Sequence, residues 1–336
     1  MRENGPPRLD VFESVDAMED WGEELDAIKL DAVRDALRDL RLEIRTQREG
    51  LEPSADVEKF DWLGLVDELR HRLGGFGMAE RSNVVDEFGL DQATVDRSHS
   101  LLEFLRERYW RVEVRGAENI PTDAGCLFVS NHSGLLPYDG LMLSHIVNEV
   151  SGNRPRFLVA DWLITLPFVQ PYLARLGGVR ACRENADRLL RTGRSVVAFP
   201  EGAKGAAKVF GDRYRLKRFG RGGVVRAAFE NQVSLVPVGI VGAEEAHPIL
   251  FKSQALARPL GLPFIPVTPT FPLLGPLGLL PLPTRWVVTF GEPIDLSGAS
   301  ESEVQDELLV SQLTEELRAL IQILVGEGLD ARESLF

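Results

Sequence analysis

The chain has little cysteine: 336 residues contain two, Cys126 and Cys182. They lie far apart, fit no metal-ligand spacing, and read as ordinary thiols in a reducing compartment. Absent as well is any run of about 18 apolar residues, the minimum for an ordinary spanning helix. The longest uncharged stretch lies between Arg258 and Arg285 and carries Pro259, Pro263, Pro266, Pro269, Pro272, Pro276, Pro281 and Pro283. A helix interior does not tolerate prolines at that spacing, so the stretch reads as an apolar loop. The first residues are charged throughout and lack an apolar h-region, so no signal peptide is expected. No Gly-x-x-x-x-Gly-Lys-Ser/Thr occurs, and no convincing Gly-x-Gly-x-x-Gly follows a strand, which argues against a nucleotide-binding enzyme. Gly-x-Ser-x-Gly is missing too, which disfavours a serine hydrolase. There is no internal repeat and no low-complexity tract.

What is present is a chain 44% hydrophobic, enough for one large domain plus an appendage. Its net charge of -13 is concentrated at the front: residues 1–100 hold 25 acidic and 13 basic side chains, and the remainder is close to neutral. Within that neutral part, Gly202 to Arg226 holds eight Lys or Arg against the single Asp212. A basic segment in an acidic protein points to local attraction of an anion, not to nucleic acid.

Residues 1–18 read as a flexible tail. Residues 19–100 read as an acidic helical extension, with Leu25, Ile28, Val33, Leu37, Leu40 and Ile44 recurring at helical spacing from Trp21 to Glu49. Shorter helices are predicted from Trp62 to Leu73 and from Ser98 to Tyr109. From residue 101 to 330 the rhythm becomes that of an α/β domain with a mostly parallel central sheet flanked by helices. Strands are predicted at Arg111–Val114, Cys126–Ser130, Arg156–Val159, Ser195–Phe199, Leu235–Val241 and Trp286–Phe290. Helices are predicted at Gly140–Val150, Trp162–Leu176, Asn185–Arg191, Gly222–Glu230 and Ser302–Val325. The last should present Val304, Leu308, Leu313, Leu317 and Ile321 as one apolar stripe.

Two strand ends carry chemistry. The run Phe128-Val129-Ser130-Asn131-His132-Ser133-Gly134 leads through a Gly/Pro turn to Asp139, a residue suited to cap the helix that follows. His132 therefore sits at the C-terminal end of a strand, where open α/β sheets place their ligands. A histidine near neutral pKa can take a proton from a hydroxyl, and a carboxylate can fix its tautomer and stabilise the imidazolium. The second run, Ser195 to Gly202, ends an apolar strand in Phe199-Pro200-Glu201-Gly202. A parallel sheet would align this end with His132, so that Glu201 binds substrate hydroxyls or helps place the acceptor. Downstream, Arg218 and Arg221 lie among glycines before a predicted helix start, and Arg180 follows Gly177-Gly178; guanidinium groups match phosphate geometry. The other histidines, His71, His99, His145 and His247, show no paired pattern and read as structural, although His145 lies on the helix after Asp139.

Together, Asn131-His132 with Asp139, then Phe199-Pro200-Glu201-Gly202, then Val236-Pro237-Val238 resemble, in order, the motifs of the 1-acylglycerol-3-phosphate (lysophospholipid) acyltransferase family over residues 110–325. The resemblance implies that His132 deprotonates an acceptor hydroxyl and that Asp139 orients His132. The alkoxide then attacks an acyl thioester of coenzyme A or acyl carrier protein. It also implies that Asn131, Glu201, Gly202, Arg180, Arg218 and Arg221 bind the acceptor, and that neither cofactor nor metal is required. Six residues separate His132 from Asp139 where the family commonly has four, and Ala203-Lys204 follow Gly202 where Thr-Arg is common. The expected partners are a glycerolipid acceptor, an acyl thioester and a membrane surface touched peripherally from the cytoplasm through the apolar loop, with no nucleic acid. A homodimer through the N-terminal helices is a further expectation. The rival readings are a non-catalytic lipid-binding scaffold with this fold and, more distantly, a lipid ester hydrolase.

Overall fold

The computed structural model describes residues 64–65, 67–69, 71–72, 85–133, 136–164, 169–253, 257 and 264–336. The predicted tail and the predicted helix from Trp21 to Glu49 lie outside the described residues.

Nine strands are described: β1 Glu113–Arg115, β2 Leu127–Ser130, β3 Arg156–Val159, β4 Gly178–Arg180, β5 Val196–Ala198, β6 Leu235–Val241, β7 Phe251–Ser253, β8 Ile265–Val267 and β9 Val287–Phe290. Seven form one sheet in the order β1-β9-β6-β2-β5-β3-β4, and β7 and β8 form a separate antiparallel pair. The five strands from β6 to β4 are mutually parallel. β9 runs antiparallel to β6, and β1 follows β9 in parallel. The sheet is thus mostly parallel, as the strand–helix alternation predicts. β4, β7 and β8 are additional to the strands predicted from the sequence.

Every residue of β2, β3, β5, β6 and β9 is buried, as expected for a sheet covered on both faces. Side chains alternate between two cores. Phe128, Val197, Val236, Val238 and Ile240 face a layer that contains Leu102, Phe104, Met142 and Ile146, from helices α1 (Gln92–Phe104) and α2 (Tyr138–Ser151). Leu127, Val129, Val196, Ala198 and Leu235 face the opposite layer of α3 (Arg183–Arg191), α4 (Gly223–Asn231) and α5 (Glu307–Ala331). A period of two along each strand meets a helix stripe on each side. Trp110 and Trp286 stack at 4.3 Å between ring centroids, fully buried, and pin β9 to the end of the segment after α1. Leu65 and Leu69 pack onto the same layer as α1. α1 crosses residue 100, so the boundary drawn there between extension and domain falls inside a helix.

Some helices differ from expectation. The sequence predicts one helix over Trp162–Leu176; the structure has Asp161–Ile164 and then Gln170–Arg175, the second with Pro171 in its first turn. In α5 the buried stripe is Val310, Thr314, Leu317, Ile321 and Val325, while Leu308 is 68% exposed. Asp306 caps α5 by accepting from the N–H groups of Leu308 and Leu309, so Leu308 lies in the first turn, clear of the sheet.

Gly239, on the β6 face toward α5, lets that helix come close: a Cβ there would sit 2.8 Å from the Leu324 carbonyl carbon. Helix backbone cannot move aside as a flexible side chain can, so Gly239→Ala is predicted to lower the unfolding free energy by about 1–3 kcal/mol. Urea denaturation read by circular dichroism would measure this.

Candidate active site

The site is assembled by strand register. β2 and β5 are parallel, with Leu127 beside Val196 and Val129 beside Ala198. The same offset, carried past both strand ends, brings His132 level with Glu201, whose Oε1 accepts the His132 backbone N–H at 2.9 Å. The two motifs therefore meet at the C-terminal end of the central strands.

His132 Nδ1 lies 2.7 Å from Asp139 Oδ2. The Asp139 carboxylate is completely buried, whereas the His132 side chain retains 16% exposure. The same Oδ2 accepts from the Ser133 N–H at 2.9 Å and from its Oγ at 3.1 Å, and Oδ1 accepts from the Gly140 N–H at 2.8 Å. Four donor groups thus hold one carboxylate in place. Asp139 occupies the first turn of α2, where the helix dipole favours an anion; the cap position expected for it belongs to Pro137. The ring of Phe199 stacks on His132 at 4.5 Å with a 25° interplanar angle. With Nδ1 engaged, Nε2 has no hydrogen-bond partner among the described residues.

Glu201 is 4% exposed. Besides the His132 N–H, it accepts from the Lys217 backbone N–H at 2.7 Å and from Lys208 Nζ at 3.3 Å. Lys208, itself buried, also donates to Glu244 Oε1 at 2.8 Å, and Glu244 Oε2 accepts the Tyr214 N–H. Burial opposes the charge on Lys208, but the Glu244 and Glu201 carboxylates outweigh it and hold the ammonium above its ordinary range. Burial pushes Glu244 up to about 6, against the pull of Lys208. Gly202 has a left-handed φ of 57° and opens the short helix Gly202–Ala206. Its glycine serves that backbone angle, because a Cβ there would meet nothing within 4 Å.

The remaining sequence candidates are placed as follows. Asn131 is fully buried, and its amide brackets β6: Nδ2 donates to the Ile240 carbonyl at 2.9 Å, and Oδ1 accepts the Ile240 N–H at 2.8 Å. Arg180 ends the edge strand β4, with β3 and β5 between it and β2, and pairs with Asp161 at 2.8 Å through two nitrogens. Three strand spacings separate it from the His132 strand, roughly 14 Å. Arg218 and Arg221 are exposed, just after the Lys217 N–H that binds Glu201. His145 does not reach this site: it is fully buried, 2.6 Å from Glu103 Oε1. His99 approaches Glu149 at 3.5 Å. His99 and Glu103, like His145 and Glu149, stand four apart, and this repeated spacing was a legible pairing signal between α1 and α2. Phe199, Lys208 and Glu244 escaped the sequence reading as site components. Lys208 and Glu244 lie in separate segments that only the fold joins.

A family description for acyltransferases matches residues 111–241. The chain is 44% identical to the uncharacterized protein Rv0502 of Mycobacterium tuberculosis, over 80% of this chain and 74% of the relative. A lyso-glycine lipid O-acyltransferase of Phocaeicola vulgatus is 28% identical over 36% of this chain and 43% of its own. The chain is also similar to the 1-acyl-sn-glycerophosphate acyltransferase PlsC of Thermotoga maritima. That crystal structure matches at 21% identity and a TM-score of 0.49, covering 82% of this chain and 99% of the other.

The buried carboxylate pair gives a two-part prediction. Lys208→Met leaves two uncompensated carboxylates and should cost about 3–5 kcal/mol; adding Glu244→Gln should recover part of that loss in urea melts. Glu244 holds its proton up to about pH 6 in the folded chain, against an ordinary 4.5, so the folded state binds more protons across that interval. Its contribution to stability should therefore fall as pH rises through this window, and Glu244→Gln should flatten the slope in melts taken at several pH values.

Proposed function

We propose that this chain, which belongs to the acyltransferase family, moves a fatty acyl group from an acyl thioester to a hydroxyl of a glycerolipid acceptor, with His132 as general base. The carrying observation is the 2.7 Å contact of His132 Nδ1 with a buried, multiply anchored Asp139. That contact fixes the tautomer with Nε2 as the proton acceptor. Nε2 takes the acceptor hydroxyl proton as the oxygen attacks the thioester carbonyl carbon. Asp139 stabilises the imidazolium. The carbon–sulfur bond then breaks, and the departing thiolate recovers the proton from Nε2.

Glu201 has both oxygens engaged inside the protein, which supports a role in fixing the His132 backbone beside the acceptor. Arg218 and Arg221, exposed next to the Glu201-bound Lys217, are the groups suited to an anionic acceptor headgroup. Arg180 would have to leave Asp161 to join them. Asn131 supports the acceptor pocket by fixing β2 to β6. The hydrolase reading is disfavoured: Ser133 Oγ is bonded to Asp139, and Ser130 is buried and directed to Asn131. Coenzyme A and acyl carrier protein both satisfy the thioester requirement.

Membrane contact is proposed through the apolar loop. No described helix is long and apolar enough to cross a membrane. Leu273, Leu274 and Leu277 are 84%, 55% and 58% exposed. The end of this loop is tied toward the site, because the Leu279 carbonyl bonds His247 and His247 stacks on Tyr138, next to Asp139. An apolar cluster presented there would bring the site to a lipid surface.

His132→Ala should lower acyl transfer by about 10²–10⁴-fold, and Asp139→Asn should also lower kcat with little change in KM. The assay uses labelled acyl-CoA, a panel of phosphorylated and unphosphorylated lyso-lipids, and mass identification of the product. Thioester consumption equal in His132→Ala and wild type would remove His132 from the chemistry. Replacing Leu273, Leu274 and Leu277 with Ser should abolish co-flotation with liposomes while leaving the thermal unfolding midpoint within a few degrees.

A further inference from the structure

A cavity of about 340 Å³ opens at the end of the sheet opposite His132. It lies between α1, the C-terminal end of α2 and the beginnings of β3 and β5. Arg156 is the first residue of β3, Arg154 precedes it, and Arg194 lies two residues before β5; all three line the cavity, with His99, Asn148 and Asn153. His132 and Glu201, by contrast, follow the C-terminal ends of β2 and β5. A ligand here is therefore separated from the proposed acyl-transfer chemistry by the length of the strands.

Two guanidinium nitrogens of this cavity, Nη1 of Arg154 and Nη1 of Arg156, are buried and find no hydrogen-bond partner among the described residues. Arg156 is only 1% exposed. Its Nη2 is bonded to Asp86, and Arg194 Nη1 stands 3.7 Å from the same carboxylate, so Asp86 serves two arginines, and Arg156 Nη1 is enclosed without a partner among the described residues. Burial acts against the charge of both Arg154 and Arg156, yet a guanidinium keeps its proton and its donors under all ordinary conditions. Buried donors of this kind call for an acceptor. Asp96 lines the cavity; outside its lining, Asp86 lies against Arg156 and Arg194, Glu149 acts on Arg154 and is paired to His99, and Glu87 acts on Arg156. Among the residues that line the cavity, three guanidiniums face the single carboxylate of Asp96, in a chain of net charge -13.

We propose that this cavity binds a small phosphate-bearing molecule, gripped by Arg154, Arg156 and Arg194, at a site separate from the acyl-transfer centre. Guanidinium forks match phosphate oxygens in pairs, and the volume admits a phosphate with a modest organic group attached. The ligand touches Asn148 and Asn153 around the end of α2, so its binding braces the helix whose first turn carries Asp139.

The test is calorimetric titration of the full-length protein with inorganic pyrophosphate and inorganic phosphate at constant ionic strength, with thermal melting in parallel. The expected result is saturable 1:1 binding of pyrophosphate that raises the melting midpoint. Affinity should weaken about tenfold or more in Arg194→Ala and in Arg154→Ala, and stay unchanged in His132→Ala. Arg194 is 43% exposed, so its replacement keeps the fold, which circular dichroism would verify. Absence of saturable heat from both anions would overturn the proposal. So would binding that persists in both arginine variants, or binding lost instead in Arg218→Ala. Binding only to phosphatidic acid vesicles, dependent on Arg194, would assign the cavity to a lipid headgroup and reject the soluble ligand.

Discussion

The parallel register of β2 and β5 is the constraint on which the rest of the molecule depends. It places the backbone N–H of His132 on the carboxylate of Glu201, and every other feature of the site is arranged around that junction. A shift of one residue between these strands would turn their side chains to the opposite layers and separate the two motifs. The register is protected by two apolar layers, because each strand alternates between the α1–α2 face and the α3–α5 face. On the other side of β2, the Asn131 side-chain amide fixes β6 through the N–H and carbonyl of Ile240.

Around that junction the protein buries charge in balanced groups. Asp139 is surrounded by four donor groups, and Glu201 and Glu244 share the ammonium of Lys208. Such groups tolerate burial only while each partner is present. They surround the His132 imidazole, whose side chain retains 16% exposure. Two carboxylates hold His132: Asp139 contacts the ring, and Glu201 accepts the backbone N–H that carries it.

The two ends of the sheet carry different electrostatics. The C-terminal end presents an imidazole and exposed arginines next to an apolar loop. The N-terminal end presents an arginine-lined cavity with unsatisfied donors. α2 spans both, beginning at the Asp139 turn and ending at Gly152 beside the cavity. A helix of 14 residues is about 20 Å long, so one rigid element joins two places that do not touch.

Much of this was legible in the chain itself. Local apolar runs determined β3 and β6 to the residue and the other core strands to within two. A strand-ending histidine followed by an aspartate, and a later Phe-Pro-Glu-Gly, marked the groups that meet at the candidate site, because residue type and strand-end position are local properties. What only the tertiary structure decided depends on distance through space. Arg180 was a candidate for an anion but is held by Asp161 at the sheet edge, and Asn131 works on β6. Lys208 and Glu244, 36 residues apart, become one buried pair with Glu201 because β5 and β6 flank the same strand. The three arginines of the cavity come from ordinary polar stretches with no motif among them. Side chains meet there because a parallel sheet aligns all its strand beginnings at one end, and linear order does not record which of those beginnings are neighbours.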